Sequence, residues 1–233
     1  MAGFDCLWID QEHQALDWST LAAHIWAAKS QDTDTMIRVA RGSYSDYIRP
    51  LELDATGILV PHIMSLADAK AVVEMTKFHP IGRRPIDGGN ADGAYTKYDM
   101  LPYMEYANKQ RFVVLQIEDP EPLADLDAIA ALDGVDMLFF GPADFSQGIG
   151  APGQWDHPLL LEARKNVAAA ARKFGKYAAT VGGPGNAKEL RELGYQFINM
   201  GADVVGVRSY FEGLVKAFKE GQSTAHDDSY YKK

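Results

Sequence analysis

Only one cysteine, Cys6, occurs in the 233 residues, which excludes an internal disulfide and any thiolate-held metal cluster. Apolar runs long enough to cross a bilayer are missing, since a spanning helix needs roughly 20 such residues. The chain also lacks the charged, apolar and small blocks of a secretory signal at its start. Basic clusters are absent, and 23 Lys+Arg against 32 Asp+Glu leave a formal charge of −9. A nucleic-acid or anionic-membrane partner therefore lacks its electrostatic footprint. No internal repeat or low-complexity tract interrupts the chain. What remains, 47% hydrophobic and 24% charged, is an ordinary globular composition and the profile expected of a cytoplasmic protein.

Runs rich in β-formers alternate with helical periodicity along the whole chain. Strands are expected at 4–9, 35–39, 57–63, 112–117, 137–140, 177–181 and 196–200. Helices are expected at 16–30, 45–53, 66–77, 123–132, 158–174, 187–193 and 204–219. Ser65 with Asp68 three residues on forms a variant capping box, Glu121-Pro122 opens a helix, and Gly175 and Gly194 close two others. Strands separated by helices must run parallel, which leaves a barrel or an open doubly wound sheet. No G-x-G-x-x-G follows a predicted strand, so the dinucleotide-binding sheet loses its support.

Polar groups instead close several strands: Asp10, Arg38, Glu118, Asp144 and Gly182-Gly183. Functional groups at the carboxyl ends of many strands characterise a (β/α)8 barrel, which typically takes roughly 250 residues. Seven predicted strands imply an α/β, TIM-type (β/α)8 barrel over residues 1–220 that lacks its first β/α unit, followed by a polar tail over 221–233. The segment 78–111 is the one long excursion, with Gly82, Pro85, Gly88-Gly89-Asn90 and Gly93 before a helical patch over 98–108. Excursions of this length are commonly functional or disordered.

Glu118 and Asp144 each follow an apolar strand, one βα unit apart, so their carboxylates converge if the barrel forms. Two carboxylates with positions left for water and substrate suit Mg2+ or Mn2+; as acidic residues after strands they are equally open to a helix-capping role. Asp10-Gln11-Glu12-His13 sets an imidazole beside carboxylates at the end of the first strand, an arrangement fit for proton transfer near neutral pH. His62, beside Pro61, is the other histidine at a strand end. Arg38 closes an apolar strand, where a guanidinium needs a carboxylate or an enolate-like oxygen; an ion pair with Glu118, Asp10 or Glu12 competes with substrate contact. Arg83-Arg84 offers an anion clamp or two solvated charges, and Trp8, Trp18 and Trp26 fit packing.

Taken in order, these stretches resemble the HpcH/HpaI aldolase family, pyruvate-dependent class II aldolases of 4-hydroxy-2-oxo acids. The likeness rests on Gly3-Phe4-Asp5 with Asp10-x-Glu12-His13, Ile37-Arg38-Val39, Gly57-Ile58-Leu59-Val60-Pro61-His62, Pro80-x-Gly82-x-Arg84, Gln116-x-Glu118 and Gly141-Pro142-Ala143-Asp144-Phe145-Ser146. It implies a barrel assembled as homo-trimers or homo-hexamers, the final helix packing on a neighbouring subunit. It further implies Glu118 and Asp144 as ligands of a divalent metal (Mg2+ or Mn2+, with Co2+ and Zn2+ as further candidates) and no organic cofactor. Arg38 resembles the contact to the keto oxygen, and His13, held by Asp10, resembles the base. Ala143 and Asp144 are the expected seat of the pyruvate carboxylate, with Gln116, Arg84 and Val181 as further substrate contacts. The implied reaction is reversible cleavage of a 4-hydroxy-2-oxo acid to pyruvate, or a related 2-oxo acid, and an aldehyde. No lysine ends a predicted strand, so no Schiff base is called for. Pro85 and the run Leu51-Glu52-Leu53-Asp54 depart from the family pattern; Glu52 is expected to serve a neighbouring subunit's site. An acyl-CoA or citryl lyase of the same superfamily, and a non-catalytic binder of 2-oxo acids, are the alternatives.

Overall fold

The computed structural model describes residues 2–221. Short runs of β-branched and aromatic residues become β1 (Cys6–Asp10), β2 (Asp34–Arg38), β3 (Gly57–Val60), β4 (Phe112–Ile117), β5 (Met137–Phe140), β6 (Tyr177–Val181) and β7 (Phe197–Asn199). Each strand pairs in parallel with the next, in the order β1 to β7. Side chains alternate across the sheet, and the two faces meet different partners. Ile37, Ile58, Val60, Val113, Leu115, Leu138, Phe140 and Ala178 face outward into the main core beneath the helices. The opposite set, Met36, Leu59, Val114, Met137, Phe139 and Ala179, gathers with Cys6, Trp8, Phe112 and Phe197 into one inner cluster. That cluster takes side chains from all seven strands, first and last included, which a flat sheet cannot do. The sheet is curled into a TIM-type (β/α) barrel whose interior is filled. Trp8 of β1 meets Phe139 of β5 across it, edge to face at 5.1 Å. Among the described residues β1 and β7 do not pair with each other.

The helices are α1 (Trp18–Lys29), α2 (Tyr44–Glu52), α3 (Leu66–Thr76), α4 (Met100–Gln110), α5 (Leu126–Ala130), α6 (Pro142–Gly148), α7 (Pro158–Lys173), α8 (Ala187–Leu193) and α9 (Asp203–Lys219). Local chemistry sets their ends. Asp17 accepts from the Thr20 backbone N–H at the start of α1, and Ser65 does the same for Asp68 at α3. Gly194 ends α8 in the left-handed region, φ +105°, which glycine adopts without steric cost. The stretch expected as one helix over 123–132 divides into a 3-10 turn (Glu121–Asp125) and the short α5. β3 stops at Val60 rather than residue 63, because Pro61 has no N–H to continue the ladder.

Charge also reaches the interior at the amino ends of the strands. The Lys77 ammonium donates to the Arg111 carbonyl at 2.7 Å and pairs with Asp136 at 3.1 Å. Arg111 in turn pairs with Asp54, which also meets Lys29. These locks lie at the face of a barrel where polar residues serve stability. The long excursion is built around another buried pair. Arg84 donates to Asp92 at 2.7 Å and to the Tyr103 hydroxyl at 3.3 Å, and its guanidinium stacks over Phe78.

α9 differs from every other helix. None of its residues is buried, and Val204, Val205, Val207, Tyr210, Phe211, Val215 and Phe218 are exposed. No helix among the described residues is long and apolar enough to cross a membrane. The tail expected over 221–233 lies, but for Gly221, outside the described residues.

Candidate active site

Parallel register brings Asp10 directly beside Arg38 at the carboxyl ends of β1 and β2. The guanidinium grips the carboxylate with two hydrogen bonds, Nε to Oδ1 at 2.9 Å and Nη2 to Oδ2 at 2.7 Å. This two-pronged geometry is the strong form of a charged hydrogen bond. Nη1 reaches Glu12 Oε2 at 3.1 Å, and the group lies 5.0 Å over the Trp8 ring. Burial by itself would raise the Asp10 carboxyl, but the Arg38 hydrogen bonds and charge outweigh it and hold the group below the usual carboxylate range.

Glu118 follows β4 and is only 1% exposed. Each of its oxygens takes one donor: the His62 backbone N–H at 2.9 Å on Oε1, and the Gln116 side-chain amide on Oε2. Gly141 makes room for them, since a Cβ there would stand 2.7 Å from Glu118 Oε2. Burial pushes the Glu118 carboxyl up to about 7, the charges of Asp144 and Glu12 add to the rise, and His62 opposes it. Asp144 is therefore within electrostatic reach of Glu118, and it stands half-buried in the first turn of α6 beside the exposed Ala143. The side-chain amide oxygen of Gln116 is buried without a partner.

His62 follows β3 with φ +50°, an uncommon conformation for a non-glycine residue. Its Nδ1–H donates to Asp119 at 2.9 Å, and its Nε2 stands 3.8 Å from Glu12 Oε1. Burial would lower its pKa, but Asp119, Glu118 and Glu12 raise it overall. Asp10, Arg38, Glu12, His62 and Asp119 thus form a chain of alternating charge along the rim from β1 to β4.

Two expectations are corrected. The His13 imidazole is not held by Asp10, whose carboxylate is committed to Arg38 and to the backbone N–H groups of Glu12, at 3.0 Å, and His13. The His13 ring, with 63% of its side chain exposed, has Glu12 as its neighbour at 3.6 Å. Arg84 is no free clamp either: its side chain is 1% exposed against Asp92 at 0%, because a guanidinium enclosed by the excursion must be paired. Val181 closes β6 with 39% exposure at the same end of the barrel. The strands end in Asp10, Arg38, Val60, Ile117, Phe140, Val181 and Asn199, none of them lysine. Among the described residues no three His, Cys, Asp or Glu side chains close into a ready-made metal cage.

A family model described as HpcH/HpaI aldolase/citrate lyase matches residues 1–209. The chain belongs to that family. It is 32% identical over 222 residues to the hydroxypyruvate/pyruvate aldolase of Pseudomonas aeruginosa, covering 94% of this chain and 82% of that one. With the 5-keto-4-deoxy-D-glucarate aldolase of Klebsiella pneumoniae it shares 30% over 222 residues, 94% of this chain and 86% of the other. The crystal structure of an HpcH/HpaI aldolase from Desulfitobacterium hafniense superposes with a TM-score of 0.87 at 27% identity, covering 94% of this chain and 85% of that one. The family and the barrel read from the motifs are thereby shown. Sequence reasoning missed Asp119 and the central place of Glu12. The D-x-E-H spacing was a signal for Glu12, whereas nothing local marks Asp119.

Proposed function

We propose that this chain is a divalent-metal-dependent aldolase, a carbon–carbon lyase that reversibly cleaves a 4-hydroxy-2-oxo acid to pyruvate, or a related 2-oxo acid, and an aldehyde. The carrying observation is the Glu118 carboxyl, 1% exposed at the carboxyl end of β4, with the Asp144 carboxylate at the start of α6 near enough for its charge to act on it. A carboxylate taken out of water with a second one nearby is a place where a cation belongs. Two carboxylate ligands, with water and substrate as further ligands, would match the habits of Mg2+ and Mn2+. When bound, such a dication supplies Lewis-acid stabilisation of negative charge on the substrate.

The chain's own residues do the rest. Arg38 spends three of its five N–H groups on Asp10 and Glu12, which leaves one on each terminal nitrogen for the keto oxygen. These stabilise the enolate as the bond between the third and fourth carbons breaks. The electrons of that bond pass toward the keto oxygen, and the 4-hydroxyl proton passes to the exposed His13 imidazole, which returns it in synthesis. Ala143 and Asp144 seat the carboxylate of the 2-oxo acid, beside Gln116; Val181 borders the aldehyde side. The exposed apolar side chains of α9 support packing on a neighbouring subunit in a homo-trimer or homo-hexamer, and we place the protein in the cytoplasm.

Addition of pyruvate to an aldehyde panel, followed by product analysis, tests the reading. Metal-stripped protein should be inactive and regain turnover with Mn2+ or Mg2+. Full turnover after verified metal removal would overturn the proposal.

A further inference from the structure

Opposite the rim, at the amino ends of β6 and β7, an open groove is walled by Arg172, Lys176, Tyr177, Arg191, Gly194 and Gln196. Its three cations lie apart in the sequence and are gathered by the fold. Arg172 comes from the last turn of α7, Lys176 from the approach to β6, and Arg191 from the last turn of α8. Nearby Lys173 and Lys188 have carboxylate partners, Asp127 at 2.6 Å and Glu192 at 3.9 Å. The three cations of the groove have none among the described residues, and no carboxylate lines it. Like charges gathered without counter-charge repel one another, although the chain carries −9 overall. An anion placed between them removes that cost.

The walls are fixed so that donors are left over. Lys176 Nζ gives one hydrogen to the Leu132 carbonyl at 3.1 Å and keeps two. The side-chain oxygen of Gln196 accepts from the Ala178 backbone N–H at 3.2 Å, which leaves its NH2 as a donor. A Cβ on Gly194 would stand 3.0 Å from Arg172 Nη1, so the glycine gives that guanidinium room.

Donors from several elements select the ligand. A monocarboxylate offers two oxygens in one plane. A phosphate dianion offers oxygens on all sides and takes the planar fork of an arginine two at a time. The competing role for Arg172 and Arg191 is to face the carbonyl ends of their own helices. We infer that the groove is a phosphate site, for the free ion or a phosphomonoester, whose occupant ties α7, β6 and α8 together. The tie matters because β7, which follows α8, has no strand on its outer side among the described residues. The site is separate from Glu118 and independent of the aldolase reading.

Calorimetry with inorganic phosphate on the full chain should show saturable binding. At ten times the Kd, the melting temperature should rise by about 3–6 °C. Acetate and chloride at matched ionic strength should do neither. Arg172→Gln with Arg191→Gln should weaken phosphate binding by at least about 10-fold. Arg191→Glu, a change at an exposed position, should also weaken it and serves if the pair folds poorly. Glycerol phosphate tells the two sources apart: binding within a few-fold of phosphate admits the ester, and its failure to bind restricts the site to the free ion. Phosphate bound as tightly by the variants as by the parent, or a melting shift that acetate or chloride reproduces, overturns the site. So does a variant that loses equal stability with and without phosphate, since the arginines then serve only their helix ends.

Discussion

Glu118 shows what enclosure does to a carboxyl. In the metal-free protein its carboxyl is raised from 4.5 to about 7, so the folded state holds a proton that the unfolded state releases. The stabilisation is fully present below pH 4.5 and is lost as pH rises through about 7. A shift of this size is of order 3 kcal/mol. Glu118→Gln should therefore flatten the fall in stability over that window, and at pH 8 the metal-free variant should unfold at higher denaturant than the parent. Added Mn2+ should raise the melting temperature of the parent and leave that of the variant in place. Equal pH slopes in the two proteins would contradict the assignment. Arg38 gives the complementary prediction. Lysine cannot reproduce the two-pronged contact to Asp10 or the spare N–H groups, so Arg38→Lys should lower kcat by about 100-fold, read by steady-state kinetics, with Mn2+ affinity within a few-fold of the parent. At this scale the sequence revealed which residue types end the strands: Asp10, Arg38 and Glu118 were visible as polar breaks at the ends of apolar runs. It offered the Arg38 ion pairs with Asp10 and Glu12 only as one alternative and did not decide between pairings. Asp10 prefers Arg38 to His13, and Arg84 prefers Asp92 to an anion, because those pairings depend on register and on a folded excursion that no local pattern encodes.

Elements were legible wherever periodicity was long or a cap was present. β4, β5, β6 and α8 occupy the residues expected of them, and the Ser65 signal opens α3. Boundaries moved where a backbone effect outweighed side-chain pattern, as at Pro61 after β3. α6 had been visible only as a possible cap, since seven residues opened by a proline carry too little periodicity to read. Its approach is nonetheless critical: Gly141 lets the turn into α6 pass against Glu118 and Gln116, where a Cβ would come within 2.7 Å of one and 3.1 Å of the other. Gly141→Ala should therefore displace the Glu118 carboxylate and weaken Mn2+ binding by at least about 10-fold, the order seen when groups that orient ligands are lost, as measured by calorimetry. At the opposite end, Lys77→Met removes a buried ammonium from the Arg111 carbonyl and from Asp136. It should cost about 2–4 kcal/mol of stability in denaturant titrations and leave the KM for pyruvate where it was, because the change lies at the amino ends of the strands.

For the molecule as a whole, the sequence carried the barrel because alternation of strand and helix leaves few parallel topologies, and polar strand ends chose among them. What it carried less well was assembly. Periodicity marked α9 as a helix but did not show that its apolar side chains would find no core. Seven large apolar residues exposed along 17 residues of helix exceed the scattered apolar exposure that a monomer's surface ordinarily shows. The expected solution state is therefore an assembly in which α9 is covered by another copy, with the trimer or hexamer proposed above as the form to test. Phe211→Asp with Phe218→Asp would place two charges in that contact and cost several kcal/mol per interface. Light scattering coupled to gel filtration should then report a smaller assembly than the parent, with far-UV circular dichroism showing that the barrel persists. A parent protein that runs as a monomer over a wide concentration range would remove the basis for assigning α9 to subunit packing.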